Sequence, residues 1–148
     1  MLKGLLLSLC LLPVSVTIAD GQKLAARKAE PVAMEYFYKV KWGYQDEFLR
    51  LFKKNHLPLL KKYMELGEIV KLEMVKPADH MTEDGRWDFC MTITYRDIDA
   101  AFGDTSHHDA IRKQLFPDQA TFEREEQHRF ELLLAHWDVP LETVDLNR

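Results

Sequence analysis

Residues 87–95 constrain the fold more than any other stretch. Trp87, Phe89, Met91, Ile93 and Tyr95 alternate without a break with Asp88, Cys90, Thr92 and Thr94. A period of two belongs to a β-strand, because successive side chains leave opposite faces of the pleat. One face of this strand is large and apolar; the other is small and polar. Such a strand must cover a core on one side only, and the remaining elements are read as its neighbours.

Two other segments alternate. In residues 35–41, Tyr36, Tyr38 and Val40 share a face, continued by Trp42, and Glu35, Phe37, Lys39 and Lys41 share the other. In residues 68–76, Val70, Leu72 and Met74 oppose Ile69, Lys71, Glu73 and Val75, and Pro77 stops the run. A polar loop over 77–86, with Glu83-Asp84-Gly85 as its turn, makes 67–95 an expected antiparallel pair. Between these strands, helical spacing over 44–66 places Phe48, Phe52, Leu59, Tyr63 and Leu66 on one stripe. Pro58 lies inside that helix and is expected to kink it, since it cannot bond to the carbonyl of Lys54. Gly67 stands where a left-handed cap ends a helix.

Further along, Asp97 is expected to cap a short helix through Phe102, and Ser106-His107-His108-Asp109 has the form of a capping box for a helix over 107–116. A second long helix is expected over 117–137, with Phe122, Phe130, Leu133, Leu134 and Trp137 as its stripe. Pro140 bars more helix, and 141–146 is read as the last strand. The order β-α-β-β-α-β predicts an α+β, ferredoxin-like fold: a four-stranded antiparallel sheet with helices on one face. Its other face would carry Lys39, Lys41, Lys71, Glu73, Asp88, Thr92 and Thr94, yet it also holds Phe37, Ile69 and Val75. Water does not need those apolar residues. A sheet facing a partner's sheet, in a homodimer, explains them better than a solvated face does.

The first 19 residues read as a secretory signal peptide: Lys3, an apolar run broken by Ser8, Pro13, Ser15 and Thr17, then Thr17-Ile18-Ala19 before Asp20. A retained anchor is the alternative. Cleavage leaves residues 20–33 as a loose arm and 34–148 as a single domain, with Cys90 as its one cysteine and therefore no internal disulfide. Such a protein is expected to be secreted or periplasmic, without stable membrane insertion. The net charge of −4 and the absence of long basic runs argue against nucleic acid as a partner.

Element order and the segment Tyr36-Phe37-Tyr38-Lys39-Val40-Lys41-Trp42-Gly43-Tyr44-Gln45-Asp46-Glu47-Phe48 resemble the dimeric α/β-barrel superfamily, which includes antibiotic-biosynthesis-type monooxygenases and NIPSNAP-like domains. The resemblance covers about 35–146. It implies two sheets paired face to face, and a small molecule bound between sheet and helices or inside the barrel. Haem-degrading members use an Asn, a Trp and a His. This chain has Trp87 and several His but no Asn in its first strand, so the haem role is not carried over.

No nucleotide loop, Cys cluster or Ser elbow is present. The candidate ligand-binding residues are Tyr36, Tyr38, Asn55, His56 and Trp87, with His56, Asn55 and Tyr38 as candidates for catalysis. Asn55-His56 flanks the helix kink and has two readings. The pair holds a ligand oxygen, with His56 a base near neutral pH, or Asn55 satisfies the carbonyl freed by Pro58. For His107 and His108, with His80 or His128 completing a set, a metal is not expected: adjacent helical residues diverge by about 100°. No cofactor is expected. Three functions follow: a dimeric domain binding a small apolar or aromatic molecule, a cofactor-independent monooxygenase-like enzyme, or a structural interaction module.

Overall fold

The computed structural model describes residues 30–147; the signal peptide read at 1–19 and residues 20–29 of the arm lie outside them. The elements are β1 (Val32–Val40), α1 (Gln45–Leu51), a π-helical turn (Phe52–His56), α2 (Leu57–Glu65), β2 (Ile69–Val75), β3 (Phe89–Tyr95), α3 (Ile98–Phe102), α4 (His108–Leu115), α5 (Gln119–Glu131) and β4 (Leu133–Pro140). The strands are ordered β2-β3-β1-β4 and every pairing is antiparallel. This is the expected ferredoxin-like sheet. Among the described residues no helix is long and apolar enough to cross a membrane.

The core lies between the sheet and the helices. Tyr38 and Val40 of β1 and Phe89, Met91 and Ile93 of β3 pack under Phe48, Leu51, Phe52 and Leu60. Gly67 ends α2 with φ +75°, a conformation open to glycine at no steric cost. Asp97 caps α3 by accepting the Ala100 N–H at 2.7 Å.

Several local expectations are corrected. The long first helix is interrupted by the π turn before Pro58: the Leu57 N–H bonds to the Phe52 carbonyl, one residue beyond α spacing. The wider turn accommodates a proline that would otherwise strike the carbonyl four residues back. The final helix stops at Glu131, and 133–140 forms β4 against β1, leaving 141–146 without regular structure. Residues 133–137 suit a helical stripe, but the open edge of β1 takes them: Phe37 pairs with Trp137 and Tyr38 with His136. A bulge between Ile69 and Lys71 turns Ile69 into the core and leaves Val70 exposed, the reverse of simple alternation. Trp87 precedes β3 and lies edge-on to Phe37, 5.5 Å between centroids, on the outer face. Ser106 does not cap α4; its N–H and hydroxyl donate to Asp104 at 2.8 and 3.1 Å.

The outer sheet face carries an apolar row across all four strands, Val75, Cys90, Phe37 and Trp137 in register. The rings of Phe37 and Trp137 stack at 5.3 Å and 10°.

Candidate functional site

The inner face of the sheet is unusually phenolic. Tyr36 and Tyr38 from β1, Tyr95 from β3 and Tyr63 from α2 line one chamber of ≈ 260 Å³ with His56, His108 and Glu68. The strand period accounts for three of them: Tyr36 lies opposite Met91 in register and Tyr95 two residues past Ile93, both on the core side. At the chamber's wall the Tyr36 and Tyr95 hydroxyls lie 2.9 Å apart. Tyr38 is buried, its ring stacked on His136 at 4.5 Å and 8°. The His136 ring donates from Nδ1 to the Phe37 carbonyl at 2.8 Å.

Burial pushes all four phenols above their ordinary range, most strongly Tyr36 and Tyr38. For Tyr36 the neighbouring Tyr95 hydroxyl adds to that effect; for Tyr38 the Arg129 charge opposes it. They remain protonated at neutral pH and offer O–H donors to an oxygen acceptor.

His56 enters the chamber from the last position of the π turn. Its ring packs on Phe52 at 5.0 Å, and its side chain keeps 32% of its surface open. Burial, then the positive charge of Arg129 and the nearby His136, lowers its pKa to about 4. Glu126 stands 3.9 Å from Nδ1, but it is engaged by Arg129 in two hydrogen bonds of 3.0 and 2.7 Å. The imidazole is therefore neutral at physiological pH and acts as a hydrogen-bond acceptor or donor, not as a cation.

This has a pH consequence. The unfolded imidazole titrates near 6.5, the folded one near 4, so the unfolded state binds more protons between these values. Stability from this group is present above 6.5 and is lost as pH falls toward 4. The loss should be about 1–2 kcal/mol after discounting for the ring's open surface. NMR titration of the His56 ring checks the shift, and a titration midpoint near 6.5 would contradict it. Denaturation of His56→Gln across the same window should lack this component.

Of the residues singled out in the sequence, Tyr36, Tyr38 and His56 meet in the chamber. Asn55 is buried but turns away, donating from Nδ2 to Glu125 at 3.0 Å. Its bond ties the π turn to α5 and does not serve the carbonyl left by Pro58. Trp87 lines a separate cleft of ≈ 370 Å³ with Trp42, Met81 and Phe89. Sequence reasoning missed Tyr63, Glu68 and His108 as chamber residues, and Arg129 as the charge behind His56. A tyrosine on the buried stripe of the first helix was the available signal for Tyr63; the others depend on long-range packing.

No protein-family model matches the chain, and neither does any curated protein. Solved structures of similar fold include a NIPSNAP family protein from Agrobacterium tumefaciens str. C58, 14% identical, covering 79% of this chain and 96% of that one with a TM-score of 0.46. Another is a dimeric protein of unknown function and ferredoxin-like fold from Bacteroides fragilis NCTC 9343, 11% identical, covering 76% and 96% with a TM-score of 0.45. A third is SnoaB, a cofactor-independent oxygenase from Streptomyces nogalater, 14% identical, covering 81% and 100% with a TM-score of 0.46. These are likenesses of fold alone.

Proposed function

We propose that this protein is a secreted or periplasmic homodimer that binds a small, uncharged aromatic molecule carrying an oxygen acceptor. The observation that supports this most is the chamber itself: four phenols held protonated and one neutral imidazole around ≈ 260 Å³. That volume lies just below the roughly 300 Å³ at which pockets begin to hold drug-sized ligands. One or two rings fit it. Hydroxyl donors that would otherwise face each other, as Tyr36 and Tyr95 do, are the groups a carbonyl or ether oxygen would engage.

Proton abstraction by Tyr38, the monooxygenase-like alternative, requires a phenolate that burial disfavours. His56 with a pKa of about 4 is a weak base for a neutral-pH reaction. Binding is the better use of this geometry. Native mass spectrometry of the purified chain tests it: a bound mass in the range of a small aromatic molecule is expected. Tyr36→Phe should weaken retention of that molecule about tenfold, the value of one hydrogen bond near 1 kcal/mol or slightly more. A chain that never carries such a mass and takes up no aromatic ketones would end this reading.

The homodimer is supported by the outer row of Val75, Cys90, Phe37 and Trp137, with Val75 and Trp137 still 47% and 39% exposed. A second copy's sheet would cover them. Trp137→Glu places a charge at the β4 end of that row, against Phe37, and should convert dimer to monomer in sedimentation velocity. A wild-type monomer at micromolar concentration would remove the dimer from the proposal.

A further inference from the structure

The wall of the phenolic chamber includes part of a cluster that the hydrogen bonding proposed for a small molecule does not draw on. Glu68 follows the left-handed Gly67 and is fixed at both backbone groups: its N–H donates to the Tyr63 carbonyl at 3.0 Å and its carbonyl accepts from the Arg96 N–H at 2.9 Å. Across from it, His107 precedes α4 and His108 is its first residue. The His108 N–H bonds to the Thr105 carbonyl at 2.9 Å, so the start of the helix is held as well.

Adjacent residues within a helix would point their rings apart by about 100°. Here His107, the N-cap of α4, keeps helical backbone angles (φ −72°, ψ −19°), yet both rings converge on one carboxylate. His107 Nε2 lies 2.7 Å from Glu68 Oε1, and His108 Nε2 lies 2.8 Å from Glu68 Oε2. The two imidazoles meet edge-on with centroids 4.5 Å apart. The His108 ring is held in turn by a 3.9 Å stack on Tyr63. All three donor atoms fall within 4.8 Å of one another.

We propose that Glu68, His107 and His108 form a binding site for one divalent transition-metal ion of the zinc type. Two imidazole nitrogens and a carboxylate oxygen are the donor set such ions take, at bonds of about 2.0–2.2 Å. Around a tetrahedral ion those bonds separate neighbouring donors by about 3.3 Å; the present contacts of 2.7 and 2.8 Å run to different carboxylate oxygens, so each ring would retreat by about half an ångström and the carboxylate would turn toward the ion. The ion would bind each ring at Nε2 as the neutral Nδ1–H tautomer, the proton now on Nε2 moving to Nδ1 or, if Nδ1 already carries one, to solvent. The three residues also line a cleft of ≈ 340 Å³ together with Arg96, Asp99, Asp104 and Thr105. Glu68 and His108 also line the phenolic chamber, so an ion held there sits in the chamber's wall. Metal binding does not depend on which molecule the chamber takes.

The test is calorimetric titration of the chelator-stripped, untagged full chain with zinc chloride. One ion per chain at micromolar affinity or tighter is expected, with a raised Tm, because an ion that binds only the native state stabilises it by mass action. Cobalt(II) should give the visible absorption bands of a low-coordinate site. Glu68→Gln and His107→Ala should each weaken binding by more than about 100-fold, since even outer partners of a metal ligand are worth about 10- to 100-fold. His107 is half-exposed, and the metal-free melting curve of His107→Ala should match the metal-free parent, separating lost binding from lost folding. His128→Ala, distant on α5, should bind as the parent does. Absence of zinc binding by the parent chain at millimolar zinc, or binding that survives both Glu68→Gln and His107→Ala, overturns the proposal.

Discussion

Replacing Arg86 with Ala should lower the free energy of unfolding by about 3–5 kcal/mol, the cost of leaving a buried ion pair half made. Arg86 is 4% exposed, an uncommon position for a guanidinium. It is satisfied there on every side. Nη1 pairs with Asp88, Nη2 donates to the Val40 carbonyl at 3.1 Å and Nε donates to Glu83 at 3.0 Å. The Trp42 ring lies 4.2 Å above the guanidinium carbon. Asp88 in turn accepts the Val40 N–H at 2.7 Å and the Gln45 amide at 3.2 Å. One arginine thus binds the end of β1, the start of α1 and the entry to β3. Truncation strands the Asp88 carboxylate, which is itself only 11% exposed, and uncovers the Val40 carbonyl. Arg86→Lys should recover little, because one ammonium cannot reach three acceptors held in a planar fork. Glu83→Gln is the internal contrast. Glu83 is half-exposed, and its loss should move the urea midpoint far less than the loss of Arg86 does. Urea midpoints at constant m-value report all three. A loss below about 1 kcal/mol for Arg86→Ala would mean that the network is surface decoration.

How much of this was legible in the residues depends on the distance over which each choice is made. β1, β3, the glycine end of α2 and the Asp97 cap are decided within a few residues, by alternation or by a single side chain, and they stand where the pattern places them, except that β1 begins at Val32, inside the stretch read as a loose arm, and β3 at Phe89. β4 is different. Residues 133–137 fit a helical stripe as well as a strand, and what selects the strand is the exposed edge of β1, roughly a hundred positions earlier in the chain. The bulge that turns Ile69 inward and the π turn that precedes Pro58 each come from one extra residue in a regular element, and a fixed period has no place for one. Arg86 and Arg129 carry no local sign of burial: their carboxylate partners Glu83, Asp88 and Glu126 lie within three residues, but the Val40 carbonyl and the Phe48 and Phe52 rings that enclose them are far along the chain. The phenolic chamber was half visible: an aromatic strand face announces Tyr36 and Tyr38, and His56 sits at a conspicuous proline kink. What brings Glu68, His107 and His108 together is a turn of α2 meeting the start of α4, with 39 positions between Glu68 and His107. Helical geometry alone points the two imidazoles apart.

Arg129→Ala should be as damaging as Arg86→Ala, again about 3–5 kcal/mol, and its consequences should reach the chamber. Arg129 is 2% exposed and grips Glu126 with two parallel hydrogen bonds. Its guanidinium faces the Phe48 and Phe52 rings at 5.7 Å each and Phe130 at 4.6 Å. Among the described residues its Nη1 is buried without a hydrogen-bond partner, and the guanidinium as a whole stands over those rings in the arrangement of a cation–π contact. Removing the arginine leaves a void among aromatic rings and an uncompensated Glu126 carboxylate, 17% exposed. Replacing both partners, as in Arg129→Met with Glu126→Leu, should restore stability to within about 1 kcal/mol of the parent or better, because no buried charge is then stranded. The same pair of variants separates stability from electrostatics at His56. Arg129 is one of the charges that depress the His56 pKa to about 4, and Glu126 waits 3.9 Å from Nδ1. In Arg129→Met alone, the repelling cation goes and the freed carboxylate attracts, so the imidazole pKa should rise strongly toward neutrality. In the double variant only the repulsion is removed, and the rise should be smaller. NMR titration distinguishes the two; equal, unshifted midpoints would show that burial alone sets the ring's charge. The difference matters for what the chamber accepts. With Arg129 in place His56 is neutral and presents an uncharged ring to the chamber. Without Arg129 the same wall carries an imidazolium, which would favour an anion instead.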